Sequence, residues 1–237
     1  MSEKVRVVGI FNSIDGEVNR WGQGTPTTFI RFAGCIPPYC ILCDTPWSQR
    51  MDAPLVKEMT VEEIVQEVQR IGCPKVTITG GEPLLQMDGF VELIKRLGGL
   101  IFSVSVETSG LVDLPRVGWG LKEVGSWVVD WKMASSGRPT EQLRQIDRYE
   151  GLRKFDWVKF IVGSESECGE AMFWAEKLME RCQARFALSP VMGIPGWGPA
   201  EVVRWVQNNR AWHFALFPSD PQIYMASGQS RAGVLNS

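Results

Sequence analysis

Residues 60–86, TVEEIVQEVQRIGCPKVTITGGEPLLQ, combine a helix pattern with a strand pattern that follows after a short turn. The first half places its apolar side chains on one helix face: Val61, Ile64, Val65 and Val68. Thr60 and Glu63 have the spacing of a capping box at the helix start. The β-branched run VTIT at 76–79 is typical of a buried strand, and Gly80-Gly81 ends it. The segment therefore predicts one helix–strand unit of an α/β protein.

The same alternation recurs along the chain. Further strand patterns are VRVVGIF at 5–11, TTFIRF at 27–32, IFSVSVE at 101–107, WVVDW at 127–131, WVKFIV at 157–162 and ARFALS at 184–189. Further helix patterns are FVELIKRLGG at 90–99, GEAMFWAEKLMERC at 169–182 and PAEVVRWVQNN at 199–209, which opens with Pro199. Such alternation predicts parallel pairing and right-handed crossovers in a single sheet. Because the chain is short for eight βα units, we expect an α/β fold with an open, partial barrel of about six, whose ligands lie at the carboxyl ends of the strands.

Length and composition narrow the class of protein. The 237 residues include 25 Lys+Arg and 27 Asp+Glu, and 44% are hydrophobic. We expect a single domain over 1–237, with a core from about 4 to 218 and an irregular C-terminal tail. The net charge of −2 argues against a sequence-independent nucleic-acid binder, and the absence of a long apolar run argues against a membrane span. The N-terminus lacks the order of a secretion signal, which predicts a reducing cytoplasmic location.

Three of the six cysteines, Cys35, Cys40 and Cys43, lie close together directly after the strand pattern TTFIRFAG. Thiolates select zinc or iron–sulfur clusters over magnesium or calcium. A closed zinc site needs four ligands, and the only histidine, His213, is far along the chain. Three thiolates instead suit a four-iron cluster with one iron open to an external ligand. A zinc site completed from elsewhere, or three thiols without metal, are the alternatives.

Polar residues also stand at the ends of the later strand patterns. They are Gly80, Gly81 and Glu82, then Glu107, Thr108 and Ser109, and then Asp130, Lys132, Ser135 and Ser136. Uncompensated burial of charged and hydroxyl groups is costly, so their repetition at strand ends indicates a shared ligand site. We expect this site to adjoin the cysteine loop.

Taken together, these segments resemble the radical S-adenosylmethionine superfamily, and within it the 7-carboxy-7-deazaguanine synthase family. The resemblance spans about 190 residues and is carried by FNSIDGEVNRWGQGTPTTFIRFAGC at 11–35, CDTPW at 43–47, TGGEPLLQ at 79–86, ETSG at 107–110, DWKMASSG at 130–137, VKFIV at 158–162 and LSPV at 188–191. It implies a partial, modified (β/α)6-type barrel. It also implies a homodimer that receives electrons from a flavodoxin- or ferredoxin-type donor.

The resemblance assigns roles to individual positions. Cys35, Cys40 and Cys43 would hold a 4Fe-4S cluster. S-adenosylmethionine would be lined by Leu42, Cys43, Asp44, Gly80, Gly81, Glu82, Thr108, Ser109, Lys132 and Ser135. Substrate contacts would come from Ile14, Asp15, Gly16, Arg31 and Thr79. Thr45 would ligate Mg²⁺ beside the substrate and, with Arg31, is a candidate catalytic position.

The implied reaction converts 6-carboxy-5,6,7,8-tetrahydropterin to 7-carboxy-7-deazaguanine with loss of ammonia, in a pathway such as queuosine biosynthesis. A 5′-deoxyadenosyl radical would abstract a hydrogen from C6 of the pterin, the ring would contract, and the hydrogen would be returned. Two other functions are considered: an activase that places a glycyl radical on a partner protein, and a zinc-stapled binding module without catalysis. The SIDGE segment at 13–17 and Cys-Asp-Thr at 43–45 favour the synthase over the activase.

The chain departs from the family pattern in three places. The cysteine spacing is C-x4-C-x2-C, with Pro37-Pro38 in the longer gap, where C-x3-C-x2-C is usual. The residue before the third cysteine is Leu42, where an aromatic residue is common. The family's C-terminal Gln-x-His-Lys run is replaced by FALFPSDPQIYM at 214–225.

Overall fold

The computed structural model describes residues 3–100, 102–115, 123–139, 143, 145–211 and 213–216. The strands are β1 (Lys4–Asp15), β2 (Thr25–Phe32), β3 (Lys57–Thr60), β4 (Lys75–Gly80), β5 (Ser103–Thr108), β6 (Val124–Lys132), β7 (Trp157–Val162), β8 (Arg185–Pro190) and β9 (Phe214–Leu216). The α-helices are α1 (Val61–Ile71), α2 (Met87–Gly99), α3 (Glu165–Met179) and α4 (Pro199–Asn209). The expected C-terminal tail, and most of the segment 214–225, lie outside the described residues.

The strands form one open sheet in the order β3-β1-β2-β4-β5-β6-β7-β8-β9. From β2 to β9 all neighbours are parallel, which confirms the predicted α/β fold with an open, partial barrel. The prediction of parallel pairing is wrong for β1, which pairs antiparallel with β2 and, on its other side, with the short edge strand β3. The physical reason is the connection, because the segment 16–24 between β1 and β2 contains no helix that could form a crossover.

Local sequence signals explain where the helices begin and end. The Thr60 hydroxyl accepts from the backbone N–H of Glu63 at 3.2 Å, and the Glu63 carboxylate accepts from the N–H of Thr60 at 2.7 Å. This confirms the capping box of α1, which ends at Gly72 in the left-handed conformation. Helix α4 begins at Pro199, where a missing N–H costs nothing.

Period-two alternation gives the sheet two different faces. On β2 and β4, Ile30, Phe32 and Ile78 belong to the hydrophobic core that α1 and α2 cover. The alternate residues, such as Arg31 and Thr79, point to the opposite, inner face. Parallel sheets ordinarily bury apolar side chains on both faces, so a polar inner face indicates that function determines its composition.

The segment 16–24 forms the floor segment, which closes the amino-terminal ends of the parallel strands. Val18 packs with Val128 and Ala187, and the Arg20 guanidinium lies 4.3 Å from the centre of the Phe155 ring. A buried ion pair between Lys75 and Asp15, 2.8 Å apart, fixes the start of this segment. None of the described helices combines the length and apolar character that a membrane-spanning helix needs.

Candidate functional site

A cavity of about 450 Å³ opens at the carboxyl ends of the parallel strands. Each of six neighbouring strands contributes at least one wall residue: Arg31, Thr79, Glu107, Asp130, Lys159 and Ser189. Because β2 and β8 are separated by four strands in the sheet and still line one cavity, the sheet must curve around it. This is the position at which α/β folds bind ligands.

The three clustered cysteines lie in the wall of this cavity. Cys35, Cys40 and Cys43 are free, half-buried thiols on the loop that follows β2. Burial raises the pKa of Cys35. Backbone N–H groups of Gly34 and Cys35 donate to the carbonyls of Ser48 and Gln49, each at 2.8 Å, and close the loop on itself. One side of the cavity therefore presents three thiol groups.

The geometry of this loop suits a cluster better than a single ion. Across the described ranges, no three His, Cys, Asp or Glu side chains converge on one metal-sized point. A four-iron cube does not require that convergence, because its thiolates bind different iron atoms. His213 directly precedes β9 and therefore lies at the amino-terminal edge of the sheet, away from the cysteine loop. It cannot complete a zinc site there.

The glycine pair after β4 brings this backbone close to the cysteine loop. A Cβ on Gly81 would lie 1.9 Å from the carbonyl oxygen of Gly34. Gly80 has φ of 128°, and a Cβ there would lie 2.2 Å from the carbonyl oxygen of Phe32. Only glycine fits both positions, and their backbone therefore forms part of the cavity wall.

Glu82 is fully buried and does not line the cavity. Its carboxylate accepts from the Thr108 hydroxyl at 2.8 Å, from the backbone N–H of Ser109 at 2.8 Å, and from that of Leu84 at 3.1 Å. Burial raises the pKa of Glu82, although these hydrogen bonds oppose the shift. In this structure Glu82 positions the Thr108–Ser109 turn, while Thr108 and Ser109 themselves face the cavity.

Four alternating charges cross the cavity wall. Asp130 lies 2.6 Å from Lys132 and 3.2 Å from Lys159, and Lys159 lies 2.5 Å from Glu17 of the floor segment. Burial alone would raise the pKa of Asp130, but the two ammonium groups outweigh it and the pKa is lowered. Burial raises the pKa of Glu17 to about 7, with Asp130 adding to the shift and Lys159 opposing it. Such a buried network is weak evidence for stability and better evidence for a site.

Glu107 occupies the centre of the inner face. The Thr79 hydroxyl donates to its Oε2 at 2.5 Å, whereas its Oε1 is buried without a hydrogen-bond partner. The Oε2 of Glu17 is likewise buried and unpartnered. Burial, followed by the nearby Glu17 and Asp15 carboxylates, raises the pKa of Glu107 well above its ordinary value. Glu17 Oε2 and Glu107 Oε1 therefore each have room for a hydrogen bond that a bound ligand could supply.

The structure brings together most of the predicted site residues. The cavity wall contains Arg31, Cys35, Cys40, Leu42, Cys43, Asp44, Thr45, Thr79, Gly80, Gly81, Thr108, Ser109, Lys132 and Ser135. Ile14, Asp15 and Gly16 are not part of it. Asp15 is fully buried and accepts from the backbone N–H of Glu17 at 2.9 Å and from the Thr77 hydroxyl at 2.8 Å, so its side chain anchors the floor segment.

Glu17 and Lys159 are among the wall residues that the sequence did not assign to the site. Glu17 is the last residue of SIDGE, and Lys159 lies within VKFIV, two segments that carried the resemblance. Lys159 had a further signal, because it is a lysine in the middle of an otherwise apolar strand. Burial of a lysine there requires a charged partner, which predicts an inward-facing site.

A pH dependence of stability follows from these buried acids. The unfolded chain releases the Glu17 proton near pH 4.5, whereas the folded chain retains it to about 7. Since the folded state binds more protons in this window, the free energy of unfolding should fall as pH rises through it. Burial raises the pKa of Glu107 as well, so Glu107 adds to this fall. In Glu107→Gln, the free energy of unfolding should therefore fall less steeply with pH, as measured by urea unfolding of the cofactor-free protein at several pH values. The exposed Glu180→Gln is the control, and equal slopes in both variants would contradict the burial of Glu107.

Known proteins match this chain over most of its length. The model of the radical SAM superfamily matches residues 29–129. The 7-carboxy-7-deazaguanine synthase of Clostridium acetobutylicum is 34% identical over 206 residues, which cover 86% of this chain and 89% of that protein. This chain belongs to the 7-carboxy-7-deazaguanine synthase family. The family member from Methanospirillum hungatei is 35% identical over 197 residues, covering 81% of this chain and 75% of that protein. The crystal structure of QueE from Escherichia coli shares the fold, with a TM-score of 0.63 at 19% identity over 90% of this chain and 92% of that one.

Membership in this radical SAM family implies a 4Fe-4S cluster and S-adenosylmethionine. The cavity fits both groups by the chemistry of its wall. Three free thiols stand on one side, as a cluster with an open iron requires. The glycine pair lets backbone approach a ligand closely, and hydroxyl groups follow on the neighbouring strand ends.

Proposed function

We propose that this chain is a radical SAM lyase that converts 6-carboxy-5,6,7,8-tetrahydropterin to 7-carboxy-7-deazaguanine and ammonia. One observation carries the proposal: a single cavity is lined by three thiols, by the Arg31 guanidinium and by two carboxyl groups that each have one unpartnered oxygen. The three thiols suit a 4Fe-4S cluster to which S-adenosylmethionine binds. The guanidinium and the two carboxyl groups suit a substrate that carries both a carboxylate and the N–H donors of an aminopyrimidinone ring.

The cofactor assignments rest on the wall residues. Cys35, Cys40 and Cys43 would hold the cluster, and Gly80 and Gly81 would approach the methionine part of S-adenosylmethionine. The remaining contacts would come from Leu42, Asp44, Thr108, Ser109, Lys132 and Ser135, with Glu82 acting from behind through Thr108 and Ser109. When bound, the cluster and S-adenosylmethionine supply the 5′-deoxyadenosyl radical that begins the reaction.

The chain's own residues orient the substrate. The Arg31 guanidinium, which lines the cavity 5.8 Å from the Phe11 ring centre, would bind the substrate carboxylate. Burial raises the pKa of the Glu107 carboxyl, and its unpartnered Oε1 would form a hydrogen bond with the aminopyrimidinone ring. Glu17 Oε2 would accept from a ring amino group. These contacts fix which carbon of the pterin faces the cluster side, which is the main task of the protein in radical chemistry.

The direct test is product analysis. Anaerobically reconstituted protein is incubated with S-adenosylmethionine, a reductant and the carboxylated tetrahydropterin, and the products are identified by mass spectrometry. We expect 7-carboxy-7-deazaguanine, released ammonia and recovered S-adenosylmethionine. Cleavage of S-adenosylmethionine without conversion of the pterin would overturn the proposed substrate. A colourless, zinc-loaded protein would overturn the enzyme class.

Arg31→Ala should raise the KM for the pterin. A hydrogen bond to a charged group contributes about 1.5–3 kcal/mol, which corresponds to a roughly ten- to hundredfold rise. Steady-state kinetics of Arg31→Ala and Arg31→Lys check this, with the lysine variant retaining part of the affinity. The exposed Arg70→Ala is the matched control. An equal loss of iron in Arg31→Ala would instead assign Arg31 to the cluster loop.

We further propose that Thr45 ligates Mg²⁺ beside the substrate. Its hydroxyl lies 3.8 Å from Cys43 Sγ and faces the cavity, and hard oxygen ligands suit this ion. Thr45→Ala should abolish the stimulation of turnover by Mg²⁺ while S-adenosylmethionine cleavage persists. Thr45→Ser keeps the hydroxyl and should keep the stimulation. A magnesium response in the alanine variant equal to that of the parent would exclude Thr45 as the ligand.

Two partners complete the proposal. A flavodoxin- or ferredoxin-type donor would reduce the cluster, and the chain would act as a homodimer. Light scattering of the purified protein tests the dimer, and turnover with a purified flavodoxin and its reductase tests the donor. A monomer with full turnover would contradict the first of these, and turnover only with chemical reductants the second.

A further inference from the structure

Arg138 is a buried cation on the turn that follows β6. Its side chain is 5% exposed, and one guanidinium nitrogen, Nη1, donates to the carbonyl of Ile36 at 3.1 Å. The same nitrogen lies 3.9 Å from Cys40 Sγ, within hydrogen-bonding range for sulfur. Positive charge on Arg138 also favours the Cys35 thiolate, although burial dominates the pKa of that thiol. The guanidinium therefore faces two of the three cysteines.

The surrounding backbone holds Arg138 in this place. The N–H of Ile41 donates to the carbonyl of Ser136 at 3.0 Å, and Gly137 packs against the Ile41 side chain. Together with the Arg138–Ile36 bond, this gives two hydrogen bonds between the β6 turn and the cysteine loop, one on each side of Cys40. Arg138 thus keeps a fixed position relative to the sulfurs.

We propose that Arg138 is a positioning residue whose cation tunes the cluster: it donates to the Cys40 sulfur and raises the cluster's reduction potential. The inference rests on the cluster ligands of the proposed function. Reduction adds one negative charge to the cluster, so a buried cation beside a ligand sulfur stabilises the reduced form more than the oxidised form. An arginine remains charged throughout the physiological range, so this effect does not depend on pH. The Lys132 ammonium also interacts electrostatically with Cys40. Its charge is balanced by the Asp130 carboxylate, which lies 2.6 Å from the Lys132 Nζ.

The test is a redox titration of the reconstituted cluster, followed by electron paramagnetic resonance without pterin present. Arg138→Gln removes the charge and keeps an N–H donor, whereas Arg138→Lys keeps the charge. Arg70→Gln is the matched control, because the Arg70 side chain is exposed on the surface of α1. We expect Arg138→Gln to lower the ratio of reduced to oxidised cluster at a fixed potential about tenfold, which is about 59 mV for a one-electron couple. Arg138→Lys should recover most of the shift, and Arg70→Gln should match the parent.

The outcomes separate this inference from the proposed function. If the parent holds no iron, the cluster assignment fails. If all variants hold four irons and share the parent's potential, the role of Arg138 fails while the function stands. Should Arg138→Gln not retain the cluster, the redox titration of Arg138→Lys supplies the second measurement. Because lysine keeps the charge, its potential should stay close to the parent's, and a potential about 59 mV or more below the parent's would overturn the inference.

Discussion

Replacing Cys40 with alanine is expected to abolish reductive cleavage of S-adenosylmethionine and to remove most of the bound iron. Cys40 lies on the cavity wall between Cys35 and Cys43, and the loop has no other cysteine to substitute for it. A cluster with an open iron uses every one of its three thiolates, so two remaining ligands would leave a second iron exposed. Iron analysis, visible absorption and anaerobic assay of 5′-deoxyadenosine formation measure the loss.

Cys73→Ala is the matched control for this prediction. Cys73 is also a half-buried free thiol, but it precedes β4 and so lies at the amino-terminal edge of the sheet. Its removal should leave iron content and cleavage at the parent's level. The cluster assignment would be contradicted if Cys40→Ala retained four irons and parental cleavage, or if Cys73→Ala lost them equally.

The second large effect is expected from Gly81→Ala. The new Cβ would lie 1.9 Å from the carbonyl oxygen of Gly34 and 2.8 Å from that of Ser48, and both atoms are backbone. Three backbone bonds lock this junction: Gly81 N–H to Phe32 at 3.0 Å, Glu82 N–H to Gly34 at 2.7 Å, and Gly34 N–H to Ser48 at 2.8 Å. No side chain can move aside, so relief requires these strands to separate. We expect a loss of about 3 kcal/mol or more in the free energy of unfolding.

Urea unfolding of the cofactor-free protein measures this loss, and Gly169→Ala is its control. Gly169 lies inside α3, and a Cβ there meets nothing within 4 Å. Alanine at this position should stabilise the protein by about 1 kcal/mol, because glycine is a poor helix former. Opposite signs for the two glycine-to-alanine changes are therefore expected. Equal, small effects would show that the junction between β2 and β4 can relax.

The sequence predicted the strands and helices well where periodicity and caps were local. The helix at 60–72, with its Thr60–Glu63 box, is found as α1, and Pro199 begins α4 as expected. The short edge strand β3 was not predicted, because four residues carry too little pattern. The last strand was expected within FALFPSDPQIYM at 214–225, and β9 begins there at Phe214. The antiparallel pairing of β1 was also not predicted, since pairing direction depends on the length and path of a connection.

The candidate site also has features that local sequence predicts and features that only long-range contacts determine. Clustered thiols and strand-end hydroxyls could be predicted, because each lies in a contiguous motif next to a strand pattern. The roles of Asp15 and Glu82 could not, because their hydrogen bonds come from residues distant in the chain, such as Thr77 and Thr108. Arg138 belongs to none of the sequence motifs that pointed to the site. Its proximity to Cys40 results from the pairing of the β6 turn with the cysteine loop.

By itself, the sequence determined the alternation of helices and strands, the clustering of three cysteines and the family, since these depend on residue type and spacing along the chain. Only the tertiary structure decided which polar side chains meet. Curvature of the sheet brings Glu17, Glu107, Asp130 and Lys159 around one cavity, and turns Asp15 and Glu82 away from it. The physical reason is that the energy of a buried charge depends on the groups within a few ångströms, and folding alone sets those distances.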